Sequence, residues 1–109
     1  MRRLLFLCSQ NKLRSPTAEA IFSDTAGVEV DSAGLNNDAI IPLSVEQLDW
    51  ADVVIVMEKA HRNRLNRKFK DHLKGKRIAV LSIPDDYDYI DEDLIRLLRV
   101  RCQPYMPQL

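Results

Sequence analysis

The apolar positions of this chain switch between two spacings, and the switching predicts its architecture. Leu4-Leu5-Phe6-Leu7 is a continuous apolar run, the pattern of a strand covered on both faces. From Ser15 the period becomes helical: Ala18, Ile21 and Phe22 fall on one face, Ser15 can cap the helix, Pro16 suits its first turn and Gly27 ends it. Val28, Val30 and Ser32 alternate with Glu29 and Asp31, predicting a shorter strand nearer the sheet edge, closed by Gly34. A polar loop follows, and Ser44-Val45-Glu46-Gln47 has the form of a capping box over a brief helical turn.

The strongest strand signal is Val53-Val54-Ile55-Val56-Met57, apolar throughout and rich in β-branched residues, as a central parallel strand requires. Leu65, Phe69 and Leu73 then recur every four residues among Lys and Arg, the stripe of an amphipathic helix that Gly75 ends. Ile78 to Ile83 supplies a fourth strand, stopped by Pro84. After an acidic loop, Leu94, Ile95, Leu97 and Leu98 lie on a final helix that Asp91 can cap.

Strands alternating with helices imply crossover connections and a parallel sheet covered on both faces. The expectation is an α/β, flavodoxin-like doubly wound domain with four parallel strands in the order 2-1-3-4, occupying residues 1–109 as one unit. Ligands of such sheets bind beyond the carboxyl ends of the strands, where the winding reverses. The loops after Leu7, Ser32, Met57 and Ile83 should therefore share one rim.

Charge narrows the partners. The 16 Lys and Arg balance the 16 Asp and Glu, so net charge gives no pull toward nucleic acid or an anionic membrane. The charges are segregated, with a basic block from Lys59 to Arg77 and an acidic one from Asp85 to Asp93, both read as solvated surfaces. The basic helix lacks aromatic interleaving or an RNA-binding motif, so nucleic acid is not an expected partner. The apolar run at the start reaches only Cys8, too short for a signal-peptide core or a membrane span. Cys8 and Cys102 lie at opposite ends of the chain and do not make a disulfide framework. A reducing, cytoplasmic setting without membrane attachment is expected.

One segment carries chemistry. Cys8-Ser9-Gln10-Asn11-Lys12-Leu13-Arg14-Ser15 joins the first strand to the first helix, with its cysteine at the carboxyl edge of the sheet. Successive amides in a tight loop can turn inward as an anion nest, and the helix N-terminus adds partial positive charge in the same direction. Both favour a thiolate over a thiol. Arg14 adds a planar fork that fits two phosphate oxygens. Asn11 belongs to a residue type that tolerates a left-handed turn.

This segment resembles the C-x5-R-S loop of the low-molecular-weight protein tyrosine phosphatases, in the matching strand-loop-helix setting. The resemblance implies that Cys8 is the nucleophile, that Arg14 binds the transferring phosphoryl group, and that Ser15 hydrogen-bonds the thiolate or eases its departure. Ser9, Gln10, Asn11, Lys12, Leu13 and Arg14 would cradle the substrate phosphate. Ser32-Ala33-Gly34 is similar to the family's Ser-Ala-Gly, whose serine orients the loop asparagine, here Asn11. Ala51-Asp52-Val53 through Met57, with His61 beyond, is similar to the family's third strand and following helix. The family draws a general acid from an Asp-Pro-Tyr loop. Pro84-Asp85-Asp86-Tyr87 matches it with Asp85 if Tyr87 is the tyrosine, and Asp86 is the fallback.

The implied activity is a hydrolase acting on a phosphorylated protein or a small phosphate ester through a phosphocysteine intermediate, with no metal or cofactor. Departures from the family pattern bear on specificity. Gln10 stands where a loop glycine is usual, Leu13 where many members have a second cysteine, and the stretch after Gly34 that builds one cleft wall is shortened. Other functions are a catalytically weak phosphate or phosphoprotein reader and an arsenate reductase-like enzyme, for which only Cys102 could pass electrons onward. Phosphocysteine carriers of sugar transport lack the arginine six residues on. The oligomeric state stays open.

Overall fold

A computed structural model describes residues 1–107. Its elements are β1 (Arg2–Cys8), α1 (Arg14–Phe22), β2 (Val28–Gly34), α2 (Val45–Trp50), β3 (Val53–Val56), α3 (Lys59–Phe69), β4 (Arg77–Val80) and α4 (Glu92–Cys102). The strands form one parallel sheet in the order β2-β1-β3-β4. This is the doubly wound topology that the alternating periods predict.

The reason β1 reads as an unbroken apolar run is visible in its surroundings. Leu4, Leu5, Phe6 and Leu7 are all fully buried, because alternate residues face opposite layers. Leu4, Phe6 and Cys8 pack with Ala18 and Phe22 of α1 and with Leu94, Leu98 and Cys102 of α4. The rings of Phe6 and Phe22 stack with centroids 5.9 Å apart. Leu5 and Leu7 face the other way, toward Leu48 of α2 and Leu65 of α3. Each fully buried side chain of this size contributes roughly 1.5–3 kcal/mol before conformational entropy is set against it.

This division of layers creates the functional edge. The chain leaving β1 turns to α1 on one face, and the chain leaving β3 turns to α3 on the other. A crevice therefore opens between the carboxyl ends of β1 and β3.

Several local expectations are met by the caps. Ser44 accepts a hydrogen bond from the Gln47 amide while the Gln47 side chain accepts from the Ser44 amide. Asp91 accepts from the amides of Asp93 and Leu94 at the start of α4.

Three expectations require correction. Ser15 does not cap α1: the helix begins at Arg14, Leu13 is its cap residue, and no side chain bonds the first turn. The Ser15 hydroxyl is drawn instead to the loop it follows. The helix stripe through Leu73 is broken, because α3 ends at Phe69 and a 3-10 turn over Lys70–His72 carries the chain to Leu73. The fourth strand stops at Val80 rather than Ile83, since Ser82 adopts a left-handed φ of 57° that no ladder accommodates. Leu81 and Ile83 still donate backbone hydrogen bonds to Val56 and Met57, so the segment stays tied to β3. Among the described residues no helix is long and apolar enough to cross a membrane.

Candidate active site

The loop from Cys8 to Arg14 is held by its carbonyls, which leaves its amides for something else. The carbonyls of Cys8, Ser9 and Gln10 accept from the amides of Leu35, Asn36 and Ile40 in the segment after β2. The amides of residues 9–14 donate to no acceptor among the described residues. They line the turn into the N-terminus of α1, whose first-turn amides are likewise uncapped. Gly34 makes this close approach possible: a Cβ there would stand 2.7 Å from the Ser9 carbonyl oxygen and 2.9 Å from the Asn11 nitrogen.

Asn11 sets the turn. Its φ is 54°, and its buried amide nitrogen donates to Ser15 Oγ and to Ser32 Oγ, each at 3.0 Å. Ser32 in turn donates to Glu19 of α1. Gln10 does not occupy a left-handed conformation, so the loop carries its side chain without backbone strain at that position.

The sulfur of Cys8 is buried and lies 3.0 Å from Ser15 Oγ. Because that oxygen accepts from Asn11, its own proton is free to be donated to the sulfur or to the Ala33 carbonyl, 3.5 Å away. The Ser15 hydroxyl therefore faces the loop and the sulfur and leaves the helix N-terminus uncapped.

Arg14 is almost fully buried and firmly aimed. Its Nη1 donates to Glu58 Oε2 and to the Ile83 carbonyl, both at 2.7 Å, and its Nε lies 3.7 Å from Asp85 Oδ1. Glu58 sits at the exit of β3 and Ile83 beyond β4, so the arginine bridges three strand ends. A hydrogen bond from Arg14 holds the Glu58 carboxyl below the usual carboxylate range, against the opposing effect of partial burial.

Three residues of this shell carried no signal as site residues in the sequence: Glu58, His61 as a loop brace, and Arg64. His61 is buried, and its Nδ1 accepts from the Glu58 amide at 3.0 Å. The proton then belongs on Nε2, which donates to Ser9 Oγ at 3.1 Å. Burial first, and the charge of Arg14 second, push the His61 pKa down to about 4, with Glu58 opposing. Arg64 also donates to Ser9 Oγ, at 3.3 Å. Ser9 thus accepts twice, and its own proton is left to point elsewhere. The only available hint was position: Glu58 and His61 follow a strand whose carboxyl end lies on the expected rim.

These elements enclose a pocket of about 100 Å³ lined by Cys8, Ser9, Gln10, Lys12, Leu13, Arg14 and Asp85. Asp85 is exposed and reaches this lining, whereas Asp86 is absent from it. Asn11 and Ser32 stand behind the loop as supports. The pocket lining thus joins Cys8, the fixed guanidinium of Arg14, loop residues whose amides have no acceptor among the described residues, and the carboxyl of Asp85.

The model of the family described as low molecular weight phosphotyrosine protein phosphatase matches residues 3–42, the stretch from β1 to just beyond β2. A protein-arginine-phosphatase of Geobacillus stearothermophilus is 29% identical, over 63% of this chain and 63% of its own length. Over its β1–α1–β2 segment the chain is similar to the low molecular weight phosphotyrosine protein phosphatases.

Solved structures of phosphatases share the fold. The YwlE arginine phosphatase from Geobacillus stearothermophilus superposes with a TM-score of 0.73 at 23% identity, covering 96% of this chain and 94% of that one. SP-PTP, a low molecular weight protein tyrosine phosphatase from Streptococcus pyogenes, gives 0.77 at 17% identity, covering 96% and 91%. At these identities the likeness speaks for the flavodoxin-like fold. The segment covered by the family model contains Cys8, Asn11, Arg14, Ser15 and Ser32, but not Glu58, His61 or Asp85.

Proposed function

We propose that this chain is a phosphatase that hydrolyses phosphotyrosine, or an aryl or small-molecule phosphate, through a phosphocysteine intermediate. The observation that carries the reading is the convergence of the Cys8 sulfur, the Arg14 guanidinium and the Asp85 carboxyl on one pocket of about 100 Å³. An incoming dianion takes the inward amides and the Arg14 fork as donors. It competes with Asp85 for the guanidinium and so turns that carboxyl toward the leaving group.

In the first step the Cys8 thiolate attacks phosphorus in line. The sulfur–phosphorus bond forms as the phosphorus–oxygen bond to the leaving group breaks, and Asp85 gives its proton to the departing oxygen. In the second step Asp85, now ionised, takes a proton from water as the water oxygen attacks phosphorus. Inorganic phosphate leaves, and the returning thiolate is stabilised by the Ser15 hydroxyl 3.0 Å away. A thiolate nucleophile has to stay reduced, which supports a cytoplasmic setting.

A second reading, phosphoarginine hydrolysis, is motivated by the activity named for the Geobacillus stearothermophilus relative. Lys12, exposed in the lining, favours a neutral leaving group over one that carries its own positive charge. An arsenate-reducing relay is disfavoured, because burial pushes the Cys102 thiol up to about 12 and leaves it a poor thiolate.

The deciding experiment measures hydrolysis of an aryl phosphate, phosphotyrosine and phosphoarginine by the wild type, Cys8→Ser and Asp85→Asn, with acid trapping of the phosphoenzyme. Turnover is expected to vanish in Cys8→Ser. In Asp85→Asn it should fall about 10²–10⁴-fold, the usual worth of a general acid. Residual turnover in Cys8→Ser would refute the mechanism. Tight phosphate binding without turnover in the wild type would favour a phosphate reader.

A further inference from the structure

Beside the phosphate pocket lies a second, larger concavity whose cations have no carboxylate partner. It is an open cleft of about 580 Å³ between α3 and the segment after β2. Arg64, Arg67 and Lys68 line one side, spaced three and four residues apart so that they share one helix face. Asn36, Asn37 and Asp38 line the other. Arg64 donates to the Asn36 side chain, and Lys68 to Asn37 Oδ1 at 2.8 Å. Both acceptors are neutral amides. Among the described residues none of the three cations lies within ion-pair distance of a carboxylate, and Arg67 makes no side-chain hydrogen bond.

The cleft is joined to the phosphate pocket by one side chain. Arg64 reaches from the cleft to Ser9 Oγ at 3.3 Å, and Ser9 lines the pocket beside Cys8. A substrate whose phosphate sits over Cys8 therefore has a positively charged trough next to it on the α3 side.

We infer that this trough binds acidic side chains flanking the phosphorylated residue of a protein substrate, so that the enzyme prefers phosphorylation sites followed or preceded by Asp or Glu. The inference rests on the reading of the neighbouring pocket as a phosphate site and adds the class of substrate sequence it takes. Carboxylates match the planar fork of Arg67 and the point charge of Lys68, and the amides of Asn36 and Asn37 can donate beside them. A nucleic acid strand fits less well, because no aromatic side chain lines the cleft to stack a base.

The test uses two phosphotyrosine peptides that differ only in their flanks, one rich in Glu and one with Ala. Binding to Cys8→Ser is measured by fluorescence anisotropy, and hydrolysis by the chain with Cys8 intact is followed in parallel. The Glu peptide is expected to bind about three- to ten-fold more tightly at low salt, the range for two or three exposed ion pairs. That advantage should shrink toward unity in Arg67→Gln/Lys68→Gln and at high ionic strength. Equal affinity for the two peptides, or a preference that survives the double substitution, overturns the inference. So does a short single-stranded RNA that displaces the Glu peptide at lower concentration than the peptide itself binds. Absence of hydrolysis with the flank preference intact would sink the phosphatase reading while upholding the trough.

Discussion

The guanidinium of Arg14 and the carboxylate of Glu58 meet at 2.7 Å across the crevice between β1 and β3. With the Ile83 carbonyl on the same nitrogen, this contact fixes the direction of the arginine fork. Glu58→Gln keeps the shape and removes the charge. It is expected to lower kcat/KM for an aryl phosphate about ten-fold, the scale of one partly solvated charge-assisted hydrogen bond. Steady-state kinetics beside a thermal melt would check this, and an unchanged kcat/KM would show that Glu58 does not aim the fork.

The acid should be separable from its neighbour by leaving group. Asp85→Asn is expected to lose more rate on a poorly leaving alkyl or phenyl phosphate than on an activated nitrophenyl phosphate, whereas Asp86→Asn should stay within about two-fold on each. The comparison needs only kcat for the two substrates. A loss in Asp86→Asn as large as that in Asp85→Asn would reverse the assignment.

Gly34 is a steric prediction. A Cβ there would meet Ala39 Cβ at 2.5 Å and the Ser9 carbonyl oxygen at 2.7 Å, so Gly34→Ala must displace the loop that carries Cys8. A loss of about 1–3 kcal/mol in stability is expected, the usual cost of overpacking, together with a drop in kcat. Urea unfolding and turnover report the two effects, and a variant with native turnover would mean that the loop does not depend on this approach.

Stability should fall on mild acidification. His61 has its pKa lowered from 6.5 to about 4, so between those values the unfolded chain takes up a proton that the folded chain refuses. Its contribution is intact above the unfolded value and is lost as pH falls, by about 3 kcal/mol once pH reaches 4. Glu58, also lowered, loses its contribution in the same direction at still lower pH. Unfolding free energies at pH 7 and 4.5 would test this, and His61→Asn should flatten the difference. A pH-independent stability in this window would contradict the burial of a neutral imidazole.

Much of the fold could be read from residue order because the layers impose it. Leu4 to Leu7 must be apolar at every position when both faces of β1 are covered, and that is visible without any partner. The loop between Cys8 and Ser15 was legible for a similar reason, since its components are contiguous. What escaped reading depends on contacts between distant segments. Ser15 has the chemistry of a cap, and only the position of Asn11 and of the sulfur turns its hydroxyl elsewhere. Glu58, His61 and Arg64 resemble ordinary surface charges of a basic helix until β3 and β1 are set side by side. The early stops of α3 and β4 arise from local backbone turns at residues 70–72 and 82, which apolar spacing does not report.

The bonds that shape the loop and those that aim its arginine differ in how far they reach along the chain. Asn11, Ser15, Glu19 and Ser32 are linked among themselves and the loop carbonyls bond Leu35, Asn36 and Ile40, so most of the cradle closes within the first forty residues, with His61 and Arg64 reaching only Ser9 from α3. Among the described residues Arg14 finds its partners at Glu58, Ile83 and Asp85, all in the second half of the chain. Early loop closure can thus give the nascent polypeptide a formed but undirected receptacle, and reactivity waits for the second half to dock. Such an order would leave the Cys8 thiol without its directed arginine until synthesis is nearly done.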